Sequence, residues 1–80
     1  MNTIQAKQQG VAAYRAGKGC APALNGPFLR AACAACAACA GGKLAALLDA
    51  YIHGWTIAML ADGAPADMPS VRELAVIEAA

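Results

Sequence analysis

The chain has 80 residues, a formal net charge of +1 and 60% apolar residues. This length allows one domain with a small core, and the excess of alanine over β-branched residues argues against a β-sheet. Lys43 and Asp49 interrupt the longest apolar run, so the sequence predicts no membrane span, and the polar residues 1–10 show no signal-peptide pattern. We therefore expect a cytoplasmic protein with reduced thiols.

The charges are distributed unevenly along the chain. Residues 1–43 carry five basic side chains and no acid, whereas residues 44–80 carry five acids and one arginine. A basic half of this kind predicts an anionic partner. The alternative is intramolecular, with a basic face lying against an acidic one, and the sequence leaves both interpretations open.

The first predicted helix covers residues 3–16, with Asn2 or Thr3 as its N-cap. Val11 and other apolar residues mark its inner side. Glycines follow at two positions, and we expect one of them to be the left-handed C′ residue that ends the helix.

The segment 19–27 contains too many glycines and prolines for a helix, and we predict a loop from which Leu24 reaches the core. Pro27 is a favourable first-turn residue, so the second helix is predicted over residues 27–40. This helix contains three Ala-Ala-Cys triplets, and the glycine pair 41–42 ends it.

The third predicted helix, residues 44–61, is the longest and has a broad apolar stripe. Gly54 lies inside it and costs roughly 1 kcal/mol relative to alanine, which indicates a position where another backbone approaches closely. Trp55 beside this glycine is expected to cover the partner helix.

A last helix is predicted over residues 70–79, with Ser70 as N-cap and Glu73 completing a capping box. The predicted fold is therefore all-α, a small single domain over residues 1–80 of three to four helices packed around the helix 44–61.

The cysteines allow two interpretations. Their count and the triplet spacing are compatible with a metal or iron–sulfur site. On a helix, however, steps of three residues spread the thiols around the axis, so we favour small packing side chains and expect no metal. The residues concerned are Cys20, Cys33, Cys36 and Cys39.

The sequence offers little for catalysis. His53 is the only histidine, and Asp49 four residues before it is merely a helix neighbour. The segment 17–19 is too short for a phosphate-binding loop. We expect no enzyme activity, no cofactor and no small-molecule substrate.

Two stretches resemble the ribosome modulation factor family, which comprises small helical ribosome-hibernation proteins and their plasmid and phage relatives. Residues 10–17, GVAAYRAG, are similar to the family pattern G-x-x-A-x-x-A-G, and a turn with Cys20 and Pro22 follows. Residues 51–58, YIHGWTIA, are similar to the pattern aromatic-aliphatic-x-G-W-x-x-A. The positions that carry the resemblance are Gly10, Ala13, Gly17, Pro22, Tyr51, Gly54, Trp55 and Ala58.

The resemblance implies a compact helical protein that binds the small ribosomal subunit near the 3′ end of its RNA and blocks initiation. The matching residues also predict a packing arrangement, in which small residues let two helices cross closely between flanking aromatic side chains. On the first helix these small residues are Gly10, Ala13 and Gly17, and on the long helix they are Gly54 and Ala58, flanked by Tyr51 and Trp55.

The RNA-contacting residues are expected in the basic half. Lys7, Arg15 and Lys18 are spaced by eight and eleven residues, which predicts one side of the first helix, and Arg30 follows on the second. The alternative function is a phage- or plasmid-type protein-binding module, either a host-interaction protein or a self-associating adaptor.

Overall fold

The protein is all-α in the computed structural model, which describes residues 2–36 and 42–80. Its helices are α1 (Thr3–Arg15), α2 (Gly26–Cys36), α3 (Gly42–Ala61) and α4 (Pro69–Ala79), with a one-turn 3₁₀ helix, Pro22–Leu24, between α1 and α2. The described residues contain no strand. The predicted fold class is therefore confirmed, while the end of the predicted helix 27–40 lies outside the described residues.

The helices α1 and α3 form the centre of the fold. A Cβ atom added to Gly10 would overlap the carbonyl oxygen of Tyr51 and lie 2.8 Å from the backbone nitrogen of Trp55. A Cβ atom on Gly54 would overlap the Lys7 carbonyl and lie 2.7 Å from its Cα atom. The expected close approach at Gly54 is confirmed, because neither glycine can be replaced without moving backbone.

The two central helices run in the same direction. Lys7 of α1 contacts Gly54 in the middle part of α3. Tyr14, which follows Lys7 in α1, contacts Asp62, the residue directly after the C-terminal end of α3. A parallel pair needs a long crossover connection, and the residues between α1 and α3, which include α2, provide it.

The helix α2 covers one side of the central pair. Phe28 and Ala32 are buried there, and the Phe28 ring lies 4.5 Å from the Tyr51 ring, tilted by 45°. Together with side chains from α1 and α3 they form the larger core cluster, which contains Ala6, Ala13, Phe28, Ala32, Leu47, Ala50 and Tyr51.

The helix α4 packs against α1 and α3 at a second core cluster. Ile77 is buried in this cluster with Val11, Ile57 and Ala58. The Gln8 side chain donates hydrogen bonds from Nε2 to the carbonyl oxygens of Ile77 (2.8 Å) and Ala80 (3.0 Å). α4 is therefore fixed to α1 as well as to α3.

The start of α1 agrees with the sequence prediction. Asn2 is the N-cap, and its side chain accepts a hydrogen bond of 2.8 Å from the Gln5 backbone N–H. The Gln5 side chain accepts one in return from the Asn2 backbone N–H, which completes a capping box.

The end of α1 is a Schellman motif. Gly17 has φ +77 and its N–H donates to the Tyr14 carbonyl, while the Lys18 N–H donates to the Ala13 carbonyl. Gly17 is thus the predicted C′ residue. Gly17 does not belong to the predicted small-residue ridge, because a Cβ atom added to it would have no neighbouring atom within 4 Å.

The start of α4 contradicts the predicted capping box. The N-cap is Met68, no side chain caps the helix, and Pro69 occupies the first turn. Proline supplies a preset φ and lacks the N–H that a cap would satisfy, so the helix begins before Ser70. The Glu73 side chain takes no part in capping and instead contacts His53 of α3.

One other expectation is corrected. Leu24 is 86% exposed and does not reach the core, because the 3₁₀ turn directs it outward. Lys43–Ala61, with mean hydropathy 1.4, satisfies the length and composition criteria for one membrane span, since such a window tolerates a few charges. These criteria do not distinguish a membrane helix from a central helix, and α3 contacts all three other helices.

Candidate functional site

The loop between α1 and α2 is held in place by the two aromatic residues of the second family-like stretch. Trp55 donates a hydrogen bond of 2.9 Å from its indole Nε1 to the Lys18 carbonyl oxygen. Tyr51 accepts one of 3.1 Å at its hydroxyl from the Asn25 amide. Both ends of the loop are therefore fixed to α3, and we call residues 18–25, which precede α2, the anchored loop.

Asn25 also starts α2. Its carbonyl accepts from the Leu29 N–H, and its side-chain oxygen accepts from the Phe28 N–H at 3.3 Å. The Asn25 side chain therefore joins the first turn of α2 to Tyr51 on α3. This fixes the orientation of the amide, with its nitrogen toward the tyrosine hydroxyl.

A cavity of about 320 Å³ opens along the anchored loop. Its lining contains one cation, two polar side chains and three apolar ones, and no acid: Lys18, Asn25, Tyr51, Ala21, Leu24 and Pro27, with Gly19 and Gly26. Lys18 and Leu24 are exposed at the surface, whereas Tyr51 is only 1% exposed.

The four predicted cations do not form one stripe. Lys7 is half-buried in a groove that Asp49 and His53 also line. Arg15 lies at the end of α1 against Glu78 of α4. The expected alignment of Lys7, Arg15 and Lys18 along one side of the first helix is wrong, because Lys18 does not belong to α1.

Lys18 breaks the alignment because α1 ends at Arg15 and Lys18 follows the Schellman turn. Its side chain stands on the anchored loop instead. Arg30 lies one turn into α2 and is exposed, three residues after Pro27 of the same cavity. Lys7, Lys18 and Arg30 have no ion-pair partner within residues 2–36 and 42–80.

The intramolecular interpretation of the charge asymmetry is correct for part of the surface. Arg15 of the basic half forms an ion pair with Glu78 of the acidic half. A second contact, 2.6 Å between His53 Nε2 and Glu73 Oε1, lies within the acidic half. Both pairs are exposed, so each contributes at most about 1 kcal/mol. The acidic helix α4 thus lies across one part of the basic half and leaves the anchored loop uncovered.

Tyr14 connects the ends of the central helices. Its hydroxyl donates a hydrogen bond of 2.8 Å to Asp62 Oδ2, and its ring meets Trp55 edge-on at 5.3 Å. The hydrogen bond to Asp62 raises the pKa of Tyr14 above its ordinary value of 10.0. Partial burial and the carboxylate charge act in the same direction, because both disfavour the phenolate.

The cysteines form no metal site in the described part of the chain. Cys20 and Cys33 are free and exposed, and no group of three potential ligands occurs among the described residues. The side chain of Cys36 and all of Cys39 lie outside the description.

The positions that carry the family resemblance have structural roles. Gly10, Ala13, Gly54 and Ala58 are buried where α1 meets its neighbours, and Pro22 begins the 3₁₀ turn. The predicted close crossing with flanking aromatic residues is present, except for Gly17.

Two features were not predicted. Asn25 lies in the segment predicted as a loop, although an asparagine three residues before Phe28 is an N-cap signal. The contact of His53 with Glu73 joins residues on two helices and has no local signal in the sequence.

Comparisons with protein-family models, curated proteins and solved structures give no significant match for this chain. The family resemblance therefore rests on the residues of the two stretches themselves.

Proposed function

We propose that this chain is a non-enzymatic translation modulator of the ribosome-hibernation type, which acts in the cytoplasm and binds ribosomal RNA through its basic N-terminal half. The supporting observation is the anchored loop. The aromatic residues of the family-like stretch, Tyr51 and Trp55, both bond to this loop. The motif residues therefore hold in place the loop that carries Lys18, and they also form part of the crossing between α1 and α3.

The charge around the anchored loop fits a phosphate backbone. Lys18 and Arg30 are exposed, and neither has an acidic partner in the described chain. Exposed cations on a fixed backbone contact phosphates without reading sequence, and they position a protein on RNA. We assign the main electrostatic contacts to these two residues.

The other two cations have a smaller role in this proposal. The Arg15 guanidinium forms an ion pair with the Glu78 carboxylate, so a phosphate must compete with that carboxylate for it. Lys7 lies in the groove that contains Asp49, which lowers the local positive potential. Replacing Glu78 by Gln is expected to strengthen RNA binding slightly if Arg15 contributes.

Sedimentation of purified ribosomes with this protein tests the proposal. The double variant Lys18→Glu/Arg30→Glu is expected to remain in the supernatant, while the wild type pellets with the ribosomes in a salt-dependent manner. Arg30→Glu and Arg72→Glu form a matched pair, because both replace an exposed helical arginine. Arg72→Glu is expected to pellet like the wild type, and full binding by the double variant would contradict the proposal.

A second candidate function, the protein-binding module, is favoured by a groove between α3 and α4. Four of the eight lining side chains are apolar, Ile57, Leu60, Met68 and Pro69, and Leu60 and Met68 are 58% and 46% exposed. If this groove binds the natural partner, Leu60→Asp abolishes binding and added salt has little effect. If the protein binds RNA through phosphates instead, Leu60→Asp leaves binding intact and added salt weakens it.

A further inference from the structure

We infer that the cavity of the anchored loop binds the base of one unpaired RNA nucleotide. This inference rests on the proposed RNA binding and states which form of RNA is bound and where. It is carried by the Tyr51 hydroxyl, by Lys18 in the lining of the same cavity and by the apolar residues of that lining.

The Tyr51 hydroxyl provides the first step. It accepts a hydrogen bond from the Asn25 amide nitrogen. The Asn25 amide oxygen faces the Phe28 N–H instead, so Asn25 does not accept the tyrosine proton. No acceptor for that proton is present among the described residues. Tyr51 is 1% exposed and lines the cavity, so a ligand that enters offers the missing acceptor.

The other two polar side chains of the lining also present donors. Lys18 contributes an ammonium group and Asn25 an amide nitrogen with a second hydrogen, whereas the Lys18 carbonyl is occupied by Trp55. A ligand rich in acceptors is therefore favoured. The carbonyl oxygens of uracil and guanine are such acceptors, and so are the phosphate oxygens next to the base.

The apolar residues distinguish a base from a free phosphate. Ala21, Leu24 and Pro27 line the same cavity, and Leu24 remains 86% exposed in the free protein. Such side chains contact a flat, partly apolar base and offer nothing to a phosphate ion. The volume of about 320 Å³ lies at the lower end of ligand pockets, which suits one nucleotide.

The base must be unpaired, because its hydrogen-bonding edge has to enter the cavity. In a duplex this edge is occupied, and proteins recognise RNA sequence mostly in loops, bulges and ends for this reason. Lys18 and Arg30 then contact the phosphates on either side. The cavity therefore predicts a preference for single-stranded over double-stranded RNA that surface cations alone do not give.

Fluorescence anisotropy of a labelled uridine octamer tests the inference, with a labelled GC-rich RNA hairpin, whose bases are paired under the assay conditions, as the duplex probe. The wild type is expected to bind the single strand at least about tenfold more tightly. Tyr51→Phe removes only the hydroxyl and is expected to weaken single-strand binding about tenfold, the value of one hydrogen bond of roughly 1.4 kcal/mol. Tyr14→Phe removes a hydroxyl outside this cavity and is the matched control, expected to bind like the wild type.

Leu24→Ser gives a second variant whose folding is not in question, because that side chain is exposed. It is expected to reduce the single-strand preference. Equal binding of single strand and duplex, or wild-type binding by both Tyr51→Phe and Leu24→Ser, overturns the inference. If the ribosomes are still bound in that case, the proposed function stands; if the octamer binds through Tyr51 but ribosomes do not pellet the protein, only the ribosomal assignment fails.

Discussion

Gly10 of α1 and Gly54 of α3 lie on facing surfaces of the same crossing, and each of them contacts the backbone of the other helix. Gly10 lies against the segment Tyr51–Trp55, and Gly54 lies against Lys7. Main chains approach this closely only where neither residue has a side chain. The cost of a glycine inside each helix is thus offset by the contact that its absent side chain permits.

Gly54→Ala is expected to destabilise the fold by roughly 3 kcal/mol or more, because the new methyl group overlaps backbone atoms that cannot rotate away. Gly19→Ala is the control, since a Cβ atom added to Gly19 would have no neighbouring atom within 4 Å and its φ is not positive. This change is expected to alter stability by less than about 0.5 kcal/mol. Urea unfolding measures both, and equal stabilities would show that the helices do not cross at Gly54.

The helix caps give a second prediction. Asn2→Ala is expected to cost about 1 kcal/mol, because it removes the oxygen that accepts from the Gln5 N–H. Ser70→Ala is expected to have no measurable effect, since α4 has no side-chain cap. Amide exchange provides the measurement: faster exchange in the first turn of α4 after Ser70→Ala would contradict the placement of its start at Pro69.

The hydrogen bond from Tyr14 to Asp62 gives a pH prediction. The pKa of Tyr14 is raised in the folded state, so the bond contributes its full stability below the ordinary value of 10.0 and loses it as the pH rises through the folded pKa. The stability difference between wild type and Tyr14→Phe should therefore shrink between about pH 8 and about pH 11. Urea unfolding at both pH values measures it, and a difference that grows with pH would contradict the sign.

The cysteines of the triplet repeat give the fourth prediction. Replacing Cys33, Cys36 and Cys39 together by alanine is expected to leave helicity and RNA binding unchanged, because alanine has the higher helix propensity. Circular dichroism and the anisotropy assay measure these properties. Stoichiometric metal in the purified wild type, lost together with the fold in the triple variant, would establish a metal site instead.

Much of the fold was predictable because it depends on local signals. The glycine at position 17 ends α1, the long apolar stripe defines α3, and Gly54 marks a close approach. The start of α4 was predicted less well, because Pro69 and Ser70 are both favourable starting signals and local rules do not rank them. In the structure the proline position prevails.

The candidate site was less predictable than the fold. The basic half was visible in the sequence, but its division between the anchored loop and the contact with α4 depends on pairs such as Arg15 and Glu78, which are far apart in sequence. The roles of Tyr51 and Trp55 in holding the loop likewise require knowing which end of α1 meets α3. Charge and motif predicted which residues are involved, and tertiary contacts determine where each one lies.

The parallel crossing of α1 and α3 also has a consequence for synthesis of the chain. Gly10 and Gly54 are about 44 residues apart in sequence, so the central contact is non-local and its loop must close before the contact stabilises anything. While the ribosome is still translating the cysteine-rich segment, α1 has no partner for its small-residue surface. The nascent protein therefore acquires its core only after nearly all of α3 has left the exit tunnel.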